Sequence, residues 1–276
     1  MVYRSGFWHA WPFQREREKR RRMSVARFTG KTAIVTGAGG TIGRATALRL
    51  AREGAKVLCV DRDEAALQLT VRALSSAGSE AVGHVADVTD EPSVAGYVAA
   101  AMTLGDGRVD AFFNNAGIVG PISPVEEYDA LQFDRVMAVN VKGVFLGLKH
   151  VAAVMRSGAS IVNTASVAGL VGSPGIAGYV ASKHAVVGLT RTAALELAAR
   201  NVRVNAICPG PVAGQLMASV EDEVGPGGHE AFLSDVPLGR YAAPEEIAAT
   251  VCFLLSEEST FTSGSAVTID AGQTAR

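Results

Sequence analysis

Three residues between positions 166 and 183 have side chains suited to moving a proton on an alcohol or a ketone. Tyr179 and Lys183 stand four residues apart, so on a helix they share one face. A lysine ammonium beside a phenol lowers the pKa of the phenol, which makes the tyrosine a general acid and base. Ser166 follows the apolar run 161–165, and its hydroxyl could hold the same substrate oxygen. The pair Tyr179 and Lys183 by itself also fits the surface of an amphipathic helix.

A glycine-rich turn near the start of the chain predicts a dinucleotide site. The apolar run 33–35 leads into Thr36–Gly43, which contains four glycines and opens a predicted helix. Glycines keep such a turn tight and let a pyrophosphate approach the backbone N–H groups at the helix N-terminus. The candidate contacts in the turn are Gly37, Gly40, Thr41, Ile42 and Gly43.

Asp61 and Arg62 bear on the choice of cofactor. Asp61 ends the second predicted strand, 18 residues after Gly43, close to the position of the acidic residue that binds the ribose hydroxyls. Because its carboxylate would repel a 2′-phosphate, the sequence predicts NAD rather than NADP. Arg62 is the one charge at the site that would favour NADP, and it also fits a solvated surface residue.

The pattern of the remaining chain supplies the elements that must position these residues. Short apolar runs alternate with helical patterns, which is typical of a parallel sheet covered on both faces. The predicted strands are 33–35, 57–60, 81–86, 109–113, 160–164, 203–207 and 266–269, and the predicted helices are 41–53, 64–77, one from about 92, 128–155 and 173–199. We therefore expect one α/β domain over 23–276, with a Rossmann-type, doubly wound parallel sheet of about seven strands.

Charge and cysteine content argue against several functional classes. Residues 1–22 carry a net charge of +5 within a chain of net charge −1, so the remainder offers no broad basic surface for nucleic acid. The three cysteines, Cys59, Cys208 and Cys252, are far apart in apolar runs, and with the histidines they show no metal-ligand spacing. No apolar run approaches the roughly 20 residues of a membrane span. We expect a cytoplasmic protein without a metal.

Residues 1–22 do not fit the pattern that follows them. They combine aromatic residues with a basic run, and their charge follows the apolar part instead of preceding it as in a secretory signal. We expect a disordered extension, or sequence upstream of a start at Met23. A mitochondrial presequence is the alternative, and Glu16 and Glu18 count against it.

Together these motifs resemble the short-chain dehydrogenase/reductase family over about residues 28–272. The glycine turn of that family reads Thr-Gly-x-x-x-Gly-x-Gly, and this chain departs from it in having Thr41 at the middle glycine. Residues 114–117 read Asn-Asn-Ala-Gly, the family's signature after the fourth strand, and Ser166 precedes Tyr179 by the family's 13 residues. The resemblance implies an oxidoreductase with a nicotinamide cofactor.

The resemblance also implies roles for individual residues. Tyr179 would exchange the proton, Ser166 would orient the substrate oxygen, and Lys183 would reach the nicotinamide ribose. Asn140 would hold a water that links Lys183 to solvent. The implied cofactor contacts further include Tyr179, Lys183, Asp87 and Val88 at the adenine, Asn114, Ala116 and Gly117 of the signature, and Pro209, Gly210 and Val212 of the loop over the nicotinamide. Gly214 stands where the family often has threonine, so one hydroxyl contact to the cofactor is expected to be missing.

The expected substrate is a small neutral secondary alcohol or its ketone. Residues 167–171 beside the catalytic pair are small and apolar, and the long glycine-containing segment 213–241 is a candidate lid. An NADP-dependent ketone or 3-oxoacyl reductase and a non-catalytic dinucleotide-binding protein are the alternatives. Apolar residues spread around the helices 128–155 and 173–199, and with the family resemblance they predict a homotetramer.

Overall fold

A parallel sheet of seven strands forms the middle layer of the molecule. The strands are β1 (Thr32–Thr36), β2 (Lys56–Asp61), β3 (Ala81–Val85), β4 (Ala111–Asn114), β5 (Ser160–Thr164), β6 (Arg203–Pro209) and β7 (Ala266–Ile269). Their order across the sheet is β3-β2-β1-β4-β5-β6-β7, with every neighbouring pair parallel. The chain winds in opposite directions from β1 and from β4, so the carboxyl ends of these two strands border the crevice in which such sheets bind ligands.

Helices cover both faces of the sheet, and the computed structural model describes residues 26–275. The helices are α1 (Thr41–Arg52), α2 (Glu64–Ser76), α3 (Glu91–Leu104), α4 (Ala130–Val154), α5 (Ala177–Leu197), α6 (Gln215–Val224), α7 (Gly228–Ser234) and α8 (Pro244–Leu255). α3, α4 and α5 share one apolar cluster with Ile34, whereas α1, α2 and α8 share another with its neighbours Ala33 and Val35. Alternate strand residues thus fill two cores, which confirms the predicted doubly wound sheet. The expectations for residues 1–22 lie outside the described residues.

Three predicted elements begin two or more residues later in the structure than the sequence indicates. The predicted strand 109–113 lies at Ala111–Asn114. The predicted helix 173–199 begins only at Ala177, because a turn with Gly175 at a φ of 81° precedes it. The predicted helix 128–155 begins at Ala130, and one turn of π-helix interrupts it at Ala138–Lys142.

Helix α8 is absent from the sequence-based prediction, which has no element between 242 and 265. Ile247, Val251 and Leu255 of α8 are buried against the second core. Pro244 is its first residue, and Glu246 accepts a hydrogen bond from the Ala243 N–H at 2.8 Å. Proline at the first helical position with glutamate at the third is a helix-start signal that would have located α8.

Helix α4 is the one helix within residues 26–275 that is long and apolar enough by composition to cross a membrane. The sequence analysis found no apolar run of this length, because a few polar residues, spaced apart, interrupt the apolar residues of α4. Half of this apolar stretch is buried inside the molecule, and the buried core helix of a globular protein can have the same length and hydropathy. Val144, Leu148 and Val151 of α4 pack in the first core.

Candidate active site

A cleft of about 1400 Å³ opens where β1, β4, β5 and β6 end. The glycine turn forms one wall, the start of α5 forms another, and the segment 213–241 covers the opening. The predicted site residues that line the cleft are Gly37, Gly40, Thr41, Ile42, Asp61, Arg62, Asp87, Val88, Ala116, Gly117, Ser166, Tyr179, Lys183, Pro209, Gly210 and Val212. The other three, Gly43, Asn114 and Asn140, are buried behind the wall.

Gly43 and Asn114 hold the wall of the cleft rather than face it. A Cβ on Gly43 would overlap the carbonyl oxygen of Gly37, so α1 can pack on the turn only with glycine at this position. The Asn114 side chain donates to the Val144 carbonyl at 3.0 Å, which ties β4 to α4. Both residues thus support the wall of the cleft, and their direct contact with the cofactor stays a prediction.

Thr36 and Asn115 connect the glycine turn to the end of β4, although the sequence analysis did not place them in the site. The Thr36 hydroxyl accepts from the Asn115 N–H at 2.8 Å and from the Ala116 N–H at 3.2 Å. The Asn115 side chain donates to the Thr36 carbonyl at 3.0 Å. These bonds join the two strands that border the crevice. The signal that could have located them is the Asn-Asn-Ala-Gly signature, which includes Asn115.

The carboxylate of Asp61 is held in the cleft by two backbone donors. One oxygen accepts from the Gly39 N–H at 2.9 Å and the other from the Asp63 N–H at 3.0 Å. Carboxylate oxygens can each accept more than one hydrogen bond, so both remain able to accept from a ribose diol. Arg62 is exposed beside it. The first turn of α1, which lies wholly within the described residues, contains no acidic side chain. An anionic pyrophosphate therefore fits there.

Ser166, Tyr179 and Lys183 meet at the other end of the cleft, where β5 leads into a short turn against α5. The Ser166 hydroxyl lies beside the Tyr179 phenol, and it accepts a hydrogen bond from the Ala168 N–H at 3.2 Å. Lys183 is only 3% exposed, and its ammonium donates to the Thr164 carbonyl at 2.8 Å. The same ammonium lies 5.4 Å from the centroid of the Tyr179 ring. The three side chains thus form one constellation.

Burial dominates the protonation of this constellation. It lowers the pKa of the Lys183 ammonium to about 8. Burial also raises the pKa of the Tyr179 phenol, while the neighbouring Ser166 hydroxyl acts in the opposite direction. The expected lowering of the phenol's pKa by Lys183 is not found in the cofactor-free protein. The reason is geometric, since the ammonium donates to Thr164 and lies over the ring instead of at the hydroxyl.

Asn140 lies in the π turn of α4 and is fully buried. Its side chain accepts from the Ile118 N–H at 2.9 Å and donates to the Ile118 carbonyl at 2.8 Å and to the Ser182 hydroxyl at 2.9 Å. The Ser182 hydroxyl donates in turn to the Tyr179 carbonyl at 2.7 Å. Asn140 therefore links the loop after β4 to the helix that carries Tyr179, and π turns often occur at such functional sites.

The segment 213–241 contains the two helices α6 and α7, separated by Gly225 and Gly227 with φ of 88° and 86°. Leu216, Met217 and Val220 of α6 and Phe232 of α7 line the cleft. The Glu223 carboxylate accepts from the Ile122 N–H at 2.7 Å, so α6 is fastened to the opposite wall. We refer to the segment 213–241 as the lid.

A parallel sheet with a glycine turn, an acidic residue after β2 and a Ser–Tyr–Lys constellation defines a dinucleotide-dependent oxidoreductase. A protein-family model described as "Enoyl-(Acyl carrier protein) reductase" matches residues 37–274. Levodione reductase of Leifsonia aquatica is 44% identical over 259 residues, which cover 91% of this chain and 97% of that protein. Cyclohexanol dehydrogenase of an Acinetobacter species is 38% identical over 252 residues, with 91% and 97% covered.

The solved structures agree with these relatives. The crystal structure of NAD⁺-bound xylitol dehydrogenase matches with a TM-score of 0.83 and 40% sequence identity, covering 89% of this chain and 99% of that one. The chain belongs to the short-chain dehydrogenase/reductase family. It is an oxidoreductase of secondary alcohols and ketones that uses a nicotinamide dinucleotide.

Proposed function

We propose that this enzyme transfers a hydride between NAD(H) and a small neutral alcohol or ketone, with Tyr179 as the general acid and base. The observation that carries the proposal is the contact between the Ser166 hydroxyl and the Tyr179 phenol at the inner end of the cleft. A substrate oxygen placed between the two hydroxyls can exchange its proton with Tyr179 while Ser166 keeps it oriented. The bound cofactor supplies the hydride acceptor or donor.

Lys183 and Asn140 support this proton transfer. Lys183, with a pKa of about 8, changes its charge near physiological pH, and it lies next to the phenol that exchanges the proton. Asn140 positions the loop after β4 and the start of α5. The water between Asn140 and Lys183 that the family resemblance implies remains part of this proposal.

The preference for NAD over NADP rests on Asp61. Its carboxylate is fixed by the Gly39 and Asp63 N–H groups at the end of β2, where the adenosine ribose binds in this type of sheet. A 2′-phosphate would bring a second negative charge against a carboxylate that cannot swing away. Like charges placed together in an interface cost several kcal/mol, on the order of two powers of ten in affinity.

The neutral substrate follows from the charges of the cleft. Among the described residues, its cationic lining side chains are Arg44, Arg62 and Lys183, of which only Lys183 lies near Tyr179. The walls near Tyr179 are apolar, with Ile118 and Ile176 among them. This environment favours an uncharged alcohol or ketone over a carboxylate or a phosphate ester, and the relatives named for cyclohexanol and xylitol act on neutral alcohols.

We also propose a cytoplasmic homotetramer. The three cysteines are free and buried, which suits a reducing compartment. Phe145 of α4 is 49% exposed and Leu195 of α5 is 81% exposed, so both helices present apolar side chains outward. Light scattering at micromolar protein should give four times the chain mass, and a monomeric mass would contradict the assembly.

The test of the catalytic proposal is an absorbance assay at the reduced nicotinamide band. A panel of secondary alcohols, from cyclic alcohols to polyols, is offered with NAD⁺ and with NADP⁺, and the matching ketones with the reduced cofactors. We expect turnover with at least one neutral alcohol and a clear preference for NAD. Equal efficiency with NADP would contradict the assignment of Asp61. Binding of a cofactor without turnover of any substrate would favour the non-catalytic alternative.

A further inference from the structure

The base of the lid meets the phosphate-binding turn at Thr41 and Gly214. Thr41 is the first residue of α1, and Gly214 immediately precedes α6. A Cβ on Gly214 would lie 2.7 Å from the Thr41 Cγ2 and 2.9 Å from the Thr41 Cβ, and it would overlap the Thr41 hydroxyl. Real side chains do not approach this closely. Only one of the two positions can therefore carry a side chain.

These are also the two positions at which the chain departs from the family pattern. Thr41 stands at a glycine of the turn, and Gly214 stands where a threonine is frequent. The structure shows that the two departures face each other. The side chain absent from the lid base is thus present on the opposite side of the same contact.

The lid base is anchored around this contact. The Ala213 N–H donates to the Ala242 carbonyl at 2.9 Å, and the Ala242 N–H donates to the Pro211 carbonyl at 3.0 Å, so the two ends of the lid are paired. Gly214, at a φ of 153°, then directs the chain into α6. Because the Ala213 backbone is already hydrogen-bonded, we expect a shift of Thr41 to reach the start of α6.

We propose that Thr41 and Gly214 form a single seat for the lid, in which the Thr41 side chain positions the start of α6 and its hydroxyl binds the cofactor's pyrophosphate. Thr41 is placed for both roles, since it contacts the lid base and also lines the cleft at the N-terminus of α1. No hydrogen bond within residues 26–275 uses the Thr41 hydroxyl, so it is free to donate to an anion. The second half of the proposal rests on the proposed use of NAD(H).

The steric half is tested on the cofactor-free protein by hydrogen exchange of the α6 amides. Gly214→Ala should speed exchange in α6 by about tenfold or more, because the new methyl group displaces the helix start from Thr41. Thr41→Gly in the same chain should return exchange to within about threefold of the unmutated protein. Full recovery is not expected, since the φ of Gly214 strains any side chain.

Gly225→Ala is the matched control for backbone strain. Gly225 ends α6 with a φ of 88°, and a Cβ there would meet no heavy atom of residues 26–275 within 4 Å. Its effect on α6 exchange should be the same with Thr41 or Gly at position 41. If Gly214→Ala and Thr41→Gly prove additive, or if Gly214→Ala leaves α6 exchange unchanged, the seat does not exist.

The hydroxyl half is tested by titrating NADH and following its fluorescence. Thr41→Val keeps the shape of the side chain and removes the donor, so α6 exchange should stay normal while the NADH Kd rises about tenfold to 150-fold, the range of one hydrogen bond to a charged group. Thr41→Ser should bind NADH nearly normally. An unchanged Kd in Thr41→Val would overturn this role. If the unmutated protein bound neither NADH nor NADPH, the proposed function would fail, while the exchange result would still decide the steric seat.

Discussion

Replacing Lys183 by Met should stabilise the cofactor-free protein while it strongly slows catalysis. Lys183 is 3% exposed and its ammonium has one hydrogen-bond partner within residues 26–275, the Thr164 carbonyl. Burying a charge with so little compensation opposes folding. Met has a similar length and no charge, so it can occupy the same space beside the Tyr179 ring without that penalty.

The magnitude follows from the pKa of Lys183. Its lowering from 10.5 to about 8 corresponds to about 3 kcal/mol of destabilisation at neutral pH. The substitution also removes the hydrogen bond to the Thr164 carbonyl, and losing this bond costs about 1 kcal/mol of stability. We therefore expect Lys183→Met to raise the free energy of unfolding by about 2 kcal/mol near neutral pH.

The pH dependence gives this prediction its sign. The pKa of Lys183 is lower in the folded protein, so between about 8 and 10.5 the unfolded chain binds more protons and stability rises with pH. The destabilisation is complete below about pH 8 and is mostly gone by about pH 10. The advantage of Lys183→Met should therefore fall to about zero by pH 10.

The assay is urea unfolding of both proteins, without cofactor and at equal concentration, at several pH values from neutral to pH 10. The difference between the two proteins cancels the titration of all other groups. A variant that is less stable at neutral pH, or a difference that does not change with pH, would refute the reasoning. In stopped-flow hydride transfer the same variant should lose roughly 10²–10⁴-fold in rate and bind NAD more weakly.

Three further predictions concern the other residues and segments. Tyr179→Phe should reduce hydride transfer by roughly 10²–10⁴-fold with unchanged NADH affinity, because only a hydroxyl is lost; a near-normal rate would mean that the proton leaves by another route. Asp61→Ala should narrow the preference for NAD in steady-state kinetics, whereas Asp63→Asn, which removes a neighbouring charge, should not; an unchanged ratio in Asp61→Ala would contradict its role. A chain that starts at Met23 should keep its activity and solubility, and loss of either would show that residues 1–22 contribute to the fold or the site.

Much of the site could be predicted because its signals are local. The glycine turn, Asp61 and the pair of Tyr179 and Lys183 each depend on neighbouring residues and on helix or strand geometry, and the cleft brings them together as expected. The parallel sheet follows from the alternation of apolar runs with helices, whereas the order of its strands comes from the structure. Helix α8 was missed although its start signal is local, because its nearly continuous apolar run lacks a clear helical period.

What the tertiary structure decided depends on residues far apart in the chain. Asn140 is buried between Ile118 and Ser182, and neither partner can be inferred from its sequence neighbours. The pKa of Lys183 depends on burial, which is a property of the whole packed core. Thr41 and Gly214 look like two independent departures in the sequence, and only the folded chain shows that they occupy one space. Local patterns specify backbone conformation and residue chemistry, whereas excluded volume and desolvation exist only once distant segments are packed together.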